Sequence, residues 1–108
     1  MGRLFIVALA VFSWNSAAWA LSPAAQRGYV FVKENCSRCH AVGLHGASPL
    51  PVAPPFRTLH ERYPVADLAE SLAEGIVTGH PSMPQFKLDP GQIDDVVSYL
   101  KTLEQPAQ

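Results

Sequence analysis

The chain has two cysteines, Cys36 and Cys39, separated by two residues and followed at once by His40. No other feature of the 108 residues limits the fold so tightly, because each chemistry open to such a group demands a different surrounding structure. A disulfide across two intervening residues constrains the unfolded chain little, since the entropic effect grows with loop length. A redox dithiol of the thioredoxin type follows a strand and opens a helix inside a mixed sheet. Structural zinc takes four ligands, normally in two separated pairs, and only Cys36, Cys39 and one histidine are spaced for it here.

The flanking sequence shows no alternation long enough for a sheet. It predicts an all-α chain of three main helices and two irregular loops. The first helix opens with Ser22 as N-cap and Pro23 in the first helical position, and Ala25, Tyr29 and Val32 form an apolar stripe running toward the cysteines. Residues 43–56 carry Pro49, Pro51, Pro54 and Pro55 and read as loop, with a short helix expected in "FRTLHERY". A second helix after Pro64 places Val65, Leu68, Leu72 and Ile76 on one face and stops at Gly75. The loop "TGHPSMPQFK" follows. The last helix begins at Asp89 and Pro90, with Gln92 completing a capping box, Leu88 and Ile93 as a staple, and Ile93, Val96, Val97, Leu100 and Leu103 on its apolar face.

Residues 1–20 read differently. Arg3 precedes the nine-residue apolar run "LFIVALAVF", too short to span a bilayer, and Ala18-Trp19-Ala20 has the small-x-small form of a signal-peptidase site. A secretory leader cleaved after Ala20 is expected, leaving residues 21–108 as one domain. Without Arg3 that domain has seven Lys/Arg against nine Asp/Glu, a side-chain charge of −2. It offers no basic stripe for nucleic acid, no polybasic patch for lipid and no segment for stable membrane insertion. A domain this small buries a modest core, so a cofactor would help to stabilise it.

The remaining chemistry meets each of these conditions. C-x-x-C-H is the attachment signature of c-type haem: each thiol adds to one vinyl group, and the next histidine is carried under the ring to bind iron. Attachment outside the cytoplasm agrees with the leader. Cys36 and Cys39 are therefore expected to hold one haem c per chain, with His40 as proximal iron ligand. Candidates for the sixth position are His45, His60, His80 and Met83. His45 follows His40 too closely to reach around the ring, and His60, beside Glu61 and Arg62, reads as solvated surface. Met83, between Pro81 and Pro84 and on no helix, is the preferred ligand. His80 is its competitor, or else exposed or bonded to a propionate.

This layout resembles the small bacterial class I cytochromes c over Leu21 to Lys101. The resemblance rests on Gly28 eight residues before Cys36, "CSRCH", "APPFR", "GHPSMP" and "DVVSYLK". It implies a cytochrome c fold wrapped around the haem, with the first and last helices crossing at Gly28 and Tyr99. It also implies a hydrogen bond from the proximal imidazole to a loop carbonyl, that of Pro54 or else Pro51 or Pro55. The family's aromatic residue four places before the first cysteine is Val32 here, with Phe31 one place earlier. With no tryptophan in residues 21–108, Arg57, Tyr63 or His80 is expected to meet the propionates, Arg57 first.

With nitrogen on one face of iron and thioether sulfur on the other, no position remains for substrate. The resemblance thus implies a one-electron carrier and not an enzyme. Its partners would be redox proteins or membrane respiratory complexes, met by transient contact by a secreted, periplasmic monomer. Two other readings stay open: a haem subunit of a larger periplasmic oxidoreductase, and a peroxidase or gas-binding module in which Met83 is displaced and His80 acts as acid and base.

Overall fold

The computed structural model describes residues 2–3, 6–13, 21–76 and 82–104. Ala18-Trp19-Ala20, His80 and Pro81 lie outside the described residues. No strand occurs among those described.

Helix α1 spans Pro23–Asn35, α2 spans Leu68–Glu74 and α3 spans Pro90–Thr102. Both long helices start as their sequences require. Ser22 Oγ accepts the Ala25 amide at 3.2 Å, which satisfies one of the donors a helix start leaves unpaired. Asp89 and Gln92 form the full capping box, at 2.8 Å to the Gln92 amide and 3.2 Å back from the Asp89 amide. Leu88 and Ile93, which flank that cap, are both buried.

The two middle elements are tighter than a plain helical reading suggests. "FRTLHERY" yields a 3-10 helix at Phe56–Glu61, and the second helix is entered through a 3-10 turn at Val65–Asp67. Each follows a proline in extended geometry, Pro55 and Pro64, and Asp67 makes no side-chain cap for α2. Ile76 lies beyond the end of α2, because Gly75 takes a φ of +99°.

Helices α1 and α3 cross at Gly28. A Cβ there would fall 1.9 Å from the Asp95 carbonyl oxygen and 2.8 Å from the Tyr99 Cβ, so only a glycine allows this approach. Beside the crossing, Arg27 grips Asp95 through two bonds of 3.0 Å, and the Tyr29 and Tyr99 rings meet with centroids 5.4 Å apart. Val32 is 1 % exposed in the core. Burying such a side chain contributes roughly 1.5–3 kcal/mol. The core gathers Ala25, Val32, Leu59, Val65, Leu88, Ile93, Val96, Tyr99, Leu100 and Leu103. Helix α2 contributes no fully buried residue, and Leu68, Ala69 and Leu72 only lean on this cluster.

Residues 6–13 take no part in it. Ile6, Val7, Leu9, Val11 and Phe12 are each at least 79 % exposed. No helix among the described residues is long and apolar enough to cross a membrane.

Candidate haem site

The cysteines sit where α1 runs out. The Cys36 amide still donates to Val32 O at 2.8 Å, and the chain then turns so that the amides of Cys39 and His40 both donate to Cys36 O, at 3.2 and 3.0 Å. This turn puts both thiols and the imidazole in one short segment. Three contacts brace it from the following loop. Leu50 N–H donates to Cys39 O at 3.0 Å, Phe56 N–H donates to Ala41 O at 2.9 Å, and the buried Ser48 hydroxyl accepts the Ala41 amide at 3.0 Å. From α3, the Tyr99 hydroxyl donates to Val42 O. The segment is thus fixed to its own loop and to the last helix.

His40 Nδ1 lies 2.8 Å from the carbonyl oxygen of Pro54. A carbonyl only accepts, so Nδ1 carries the proton, and in the neutral ring Nε2 keeps its lone pair for a metal. Pro54, and not Pro51 or Pro55, is the proline that meets the imidazole. The Phe56 ring packs on the imidazole with centroids 4.8 Å apart, which restricts its rotation.

Both cysteines are free and half-buried. Burial pushes the Cys36 thiol up to about 11, and the neighbouring Cys39 adds to this. A redox dithiol needs the reverse, a thiol acidified so that thiolate is present near neutrality. No cluster of three or more His, Cys, Asp or Glu suited to a metal ion occurs among the described residues. The donor set fits haem c: two free thiols beside a histidine whose outer nitrogen is available, with the Phe56 ring packed on that imidazole.

The other predicted residues fall as follows. Met83 is half-buried. Arg57 Nη1 donates to Gly46 O at 2.7 Å and so ties the 3-10 helix to the tip of the loop. Tyr63 lines an open groove of about 490 Å³ with His60, Lys101 and Glu104, and burial raises its phenol. His45 is exposed. His60 corrects an expectation. It is half-buried, not solvated, and its Nδ1 is buried without a hydrogen-bond partner. It lines the groove with Val65 and Lys101, which cover part of its ring despite its charged sequence neighbours. Sequence reasoning also missed Ser48 and the Gly75–Gln85 contact described below. A lone serine before Pro49 gives no signal of a buried acceptor.

The family model for cytochrome c matches residues 25–104. This chain belongs to the cytochrome c family. A "Cytochrome c-553-like" protein of Synechocystis sp. is 30% identical over 106 residues, covering 93% of this chain and 94% of the relative. No significant match was found among solved structures. As a cytochrome c, the protein carries covalently bound haem c on its C-x-x-C-H motif and is an electron-transfer protein, not an enzyme. The all-α fold is that of the family.

Proposed function

We propose that the protein is a one-electron carrier whose haem is attached through Cys36 and Cys39 and ligated by His40 and Met83. The observation that carries this reading is the hydrogen bond between His40 Nδ1 and Pro54 O. It fixes the tautomer that leaves Nε2 as an iron donor, orients the ring and raises its basicity. Bound haem would supply a metal centre that gains and loses one electron, and ligation by a thioether and an imidazole would place it toward the high end of the potential range.

The protein's own part is to hold two ligands still and to keep water away. His40 is fixed by Pro54 and Phe56. Met83 sits beside Pro84, which fixes its own φ and keeps the preceding residue extended. Phe56, packed on the imidazole, is an apolar neighbour that would raise the cost of the extra charge on the oxidised site. Arg57, which follows Phe56 in the chain, has donors beyond the one given to Gly46 and is the first choice to meet a propionate, with Tyr63 and His80 as the others. We further infer that residues 1–20 are a secretory leader cleaved after Ala20, and that the protein works in the periplasm as a monomer. Its partners are redox proteins or membrane respiratory complexes met by transient contact. The exposed apolar side chains of residues 6–13, which add nothing to the core, support that division of the chain.

Spectra of the oxidised and reduced holoprotein test the ligation. The ferric form should show the weak far-red absorption that marks a thioether–iron bond, and Met83→Ala should abolish it and lower the potential. His80→Ala should do neither. A high-spin ferric spectrum or ready carbon monoxide binding at neutral pH would reject the carrier reading in favour of an open sixth position.

A further inference from the structure

Helix α2 ends on Gly75, whose φ of +99° lies where residues bearing a Cβ are rarely found. A Cβ at this position would come 2.9 Å from Nε2 of Gln85, 3.4 Å from its Cγ and 3.5 Å from its Cδ. On either side of this contact the two chain segments are joined by backbone bonds. Ile76 N–H donates to Phe86 O at 3.0 Å, and Leu88 N–H donates to Leu72 O at 2.8 Å, capping a carbonyl near the end of α2. Residues 85–88 are thus laced onto the helix end, with Gly75 opposite Gln85. Met83 stands two residues before Gln85, with Pro84 between them. Two residues reach at most about 7 Å, and Pro84 removes much of the freedom in that reach. The thioether is held on a short, stiff lead from the point where Gln85 meets Gly75.

We propose that Gly75 is a positioning residue for Met83: its left-handed φ turns the chain so that residues 85–88 lace onto the end of α2 through Ile76 and Leu72, and thereby sets where the thioether stands. The inference rests on the reading of Met83 as axial ligand. Alanine at position 75 strains the laced arrangement by forcing a Cβ into a disfavoured φ, whereas the exposed amide end of Gln85 can swing aside. That strain is relieved when Met83 leaves the iron and the limb loosens. An external ligand competing with Met83 gains in affinity by the same factor.

The test titrates imidazole into the ferric holoprotein and reads the far-red thioether absorption. Gly75→Ala should bind imidazole about tenfold more tightly than the unaltered protein, with one covalent haem per chain and unchanged helical circular dichroism. Equal imidazole affinity in the two proteins would overturn the inference. Met83→Ala, measured alongside, separates this from the ligation itself. If the unaltered protein lacks the far-red absorption, or Met83→Ala retains it, the ligand assignment fails and the inference goes with it. If the absorption depends on Met83 but Gly75→Ala behaves like the unaltered protein, the inference alone fails. Should Gly75→Ala not assemble, hydrogen exchange in the unaltered holoprotein decides. Saturating imidazole should accelerate the Ile76 and Leu88 amides and spare Val96 and Leu100, and unchanged exchange at Ile76 and Leu88 would reject the lacing as the element that holds Met83.

Discussion

Gly28 stands directly against Tyr99, so close that a Cβ on the glycine would fall 2.8 Å from the tyrosine Cβ and 1.9 Å from the carbonyl oxygen of Asp95 one turn earlier. The obstacle is largely backbone and cannot rotate aside. Gly28→Ala should therefore destabilise the holoprotein by about 1–2 kcal/mol, because overpacking at the upper end of its usual range of about 1–3 kcal/mol outweighs the roughly 1 kcal/mol that alanine gains in helix propensity. Denaturant unfolding measures this as a lower midpoint at unchanged slope.

Tyr99 also joins α3 to the attachment segment through Val42 O. Tyr99→Phe should cost about 1 kcal/mol at neutral pH, where the hydrogen bond is intact. Burial raises the phenol above its ordinary value of 10.0, and Tyr29 adds to the rise. The folded state therefore keeps its proton at a pH where the unfolded chain begins to lose it. This contribution to stability is complete below about pH 10 and is lost as pH climbs toward the folded value. Unfolding free energies of the unaltered protein should fall above about pH 10, and those of Tyr99→Phe should fall less steeply over the same interval.

The capping box at Asp89 opens the helix that completes the core. Asp89→Ala should lower stability by about 1 kcal/mol while leaving the visible spectrum unchanged, since neither residue of the box touches the attachment segment. Asp89→Asn, which keeps the acceptor, should restore most of the loss in thermal unfolding.

Arg57 is the cross-brace of the proline-rich loop. Arg57→Leu should release Gly46 and raise the rate of thermolysin cleavage at Leu44, Leu50 or Val52, two of which are already exposed. Global stability should change little by comparison, and cleavage at the unaltered rate would show that the loop is held by Ser48 and Leu50 alone.

The helices and the attachment segment were legible in the sequence because their signals are local. Ser22-Pro23 and Asp89-Pro90 mark helix starts through the chemistry of unpaired amides, and Cys36, Cys39 and His40 announce their use by spacing. Gly28 and Tyr99 were legible only through family resemblance, since nothing local pairs residues so far apart. The middle of the chain was harder to read. Two prolines in extended geometry shift the following turns to 3-10, and a pattern of apolar residues does not separate that from α. His60 misled for another reason: charged neighbours suggest solvent, but its ring lies in a groove whose other walls, Val65 and Lys101, are distant from it in the chain. The Gly75–Gln85 contact depends on a glycine that reads equally well as an ordinary helix stop.

Arg27 and Asp95, which clamp the crossing of the first and last helices, are 68 residues apart. Two helices so placed cannot pair until nearly the whole chain has been made, and closing so long a loop is slow. Until these helices pair, the core is incomplete and the two thiols lie in open chain. In a chain secreted before its haem is attached, as inferred above, the slow closing of so long a loop leaves the cysteines accessible until the last helix packs against the first.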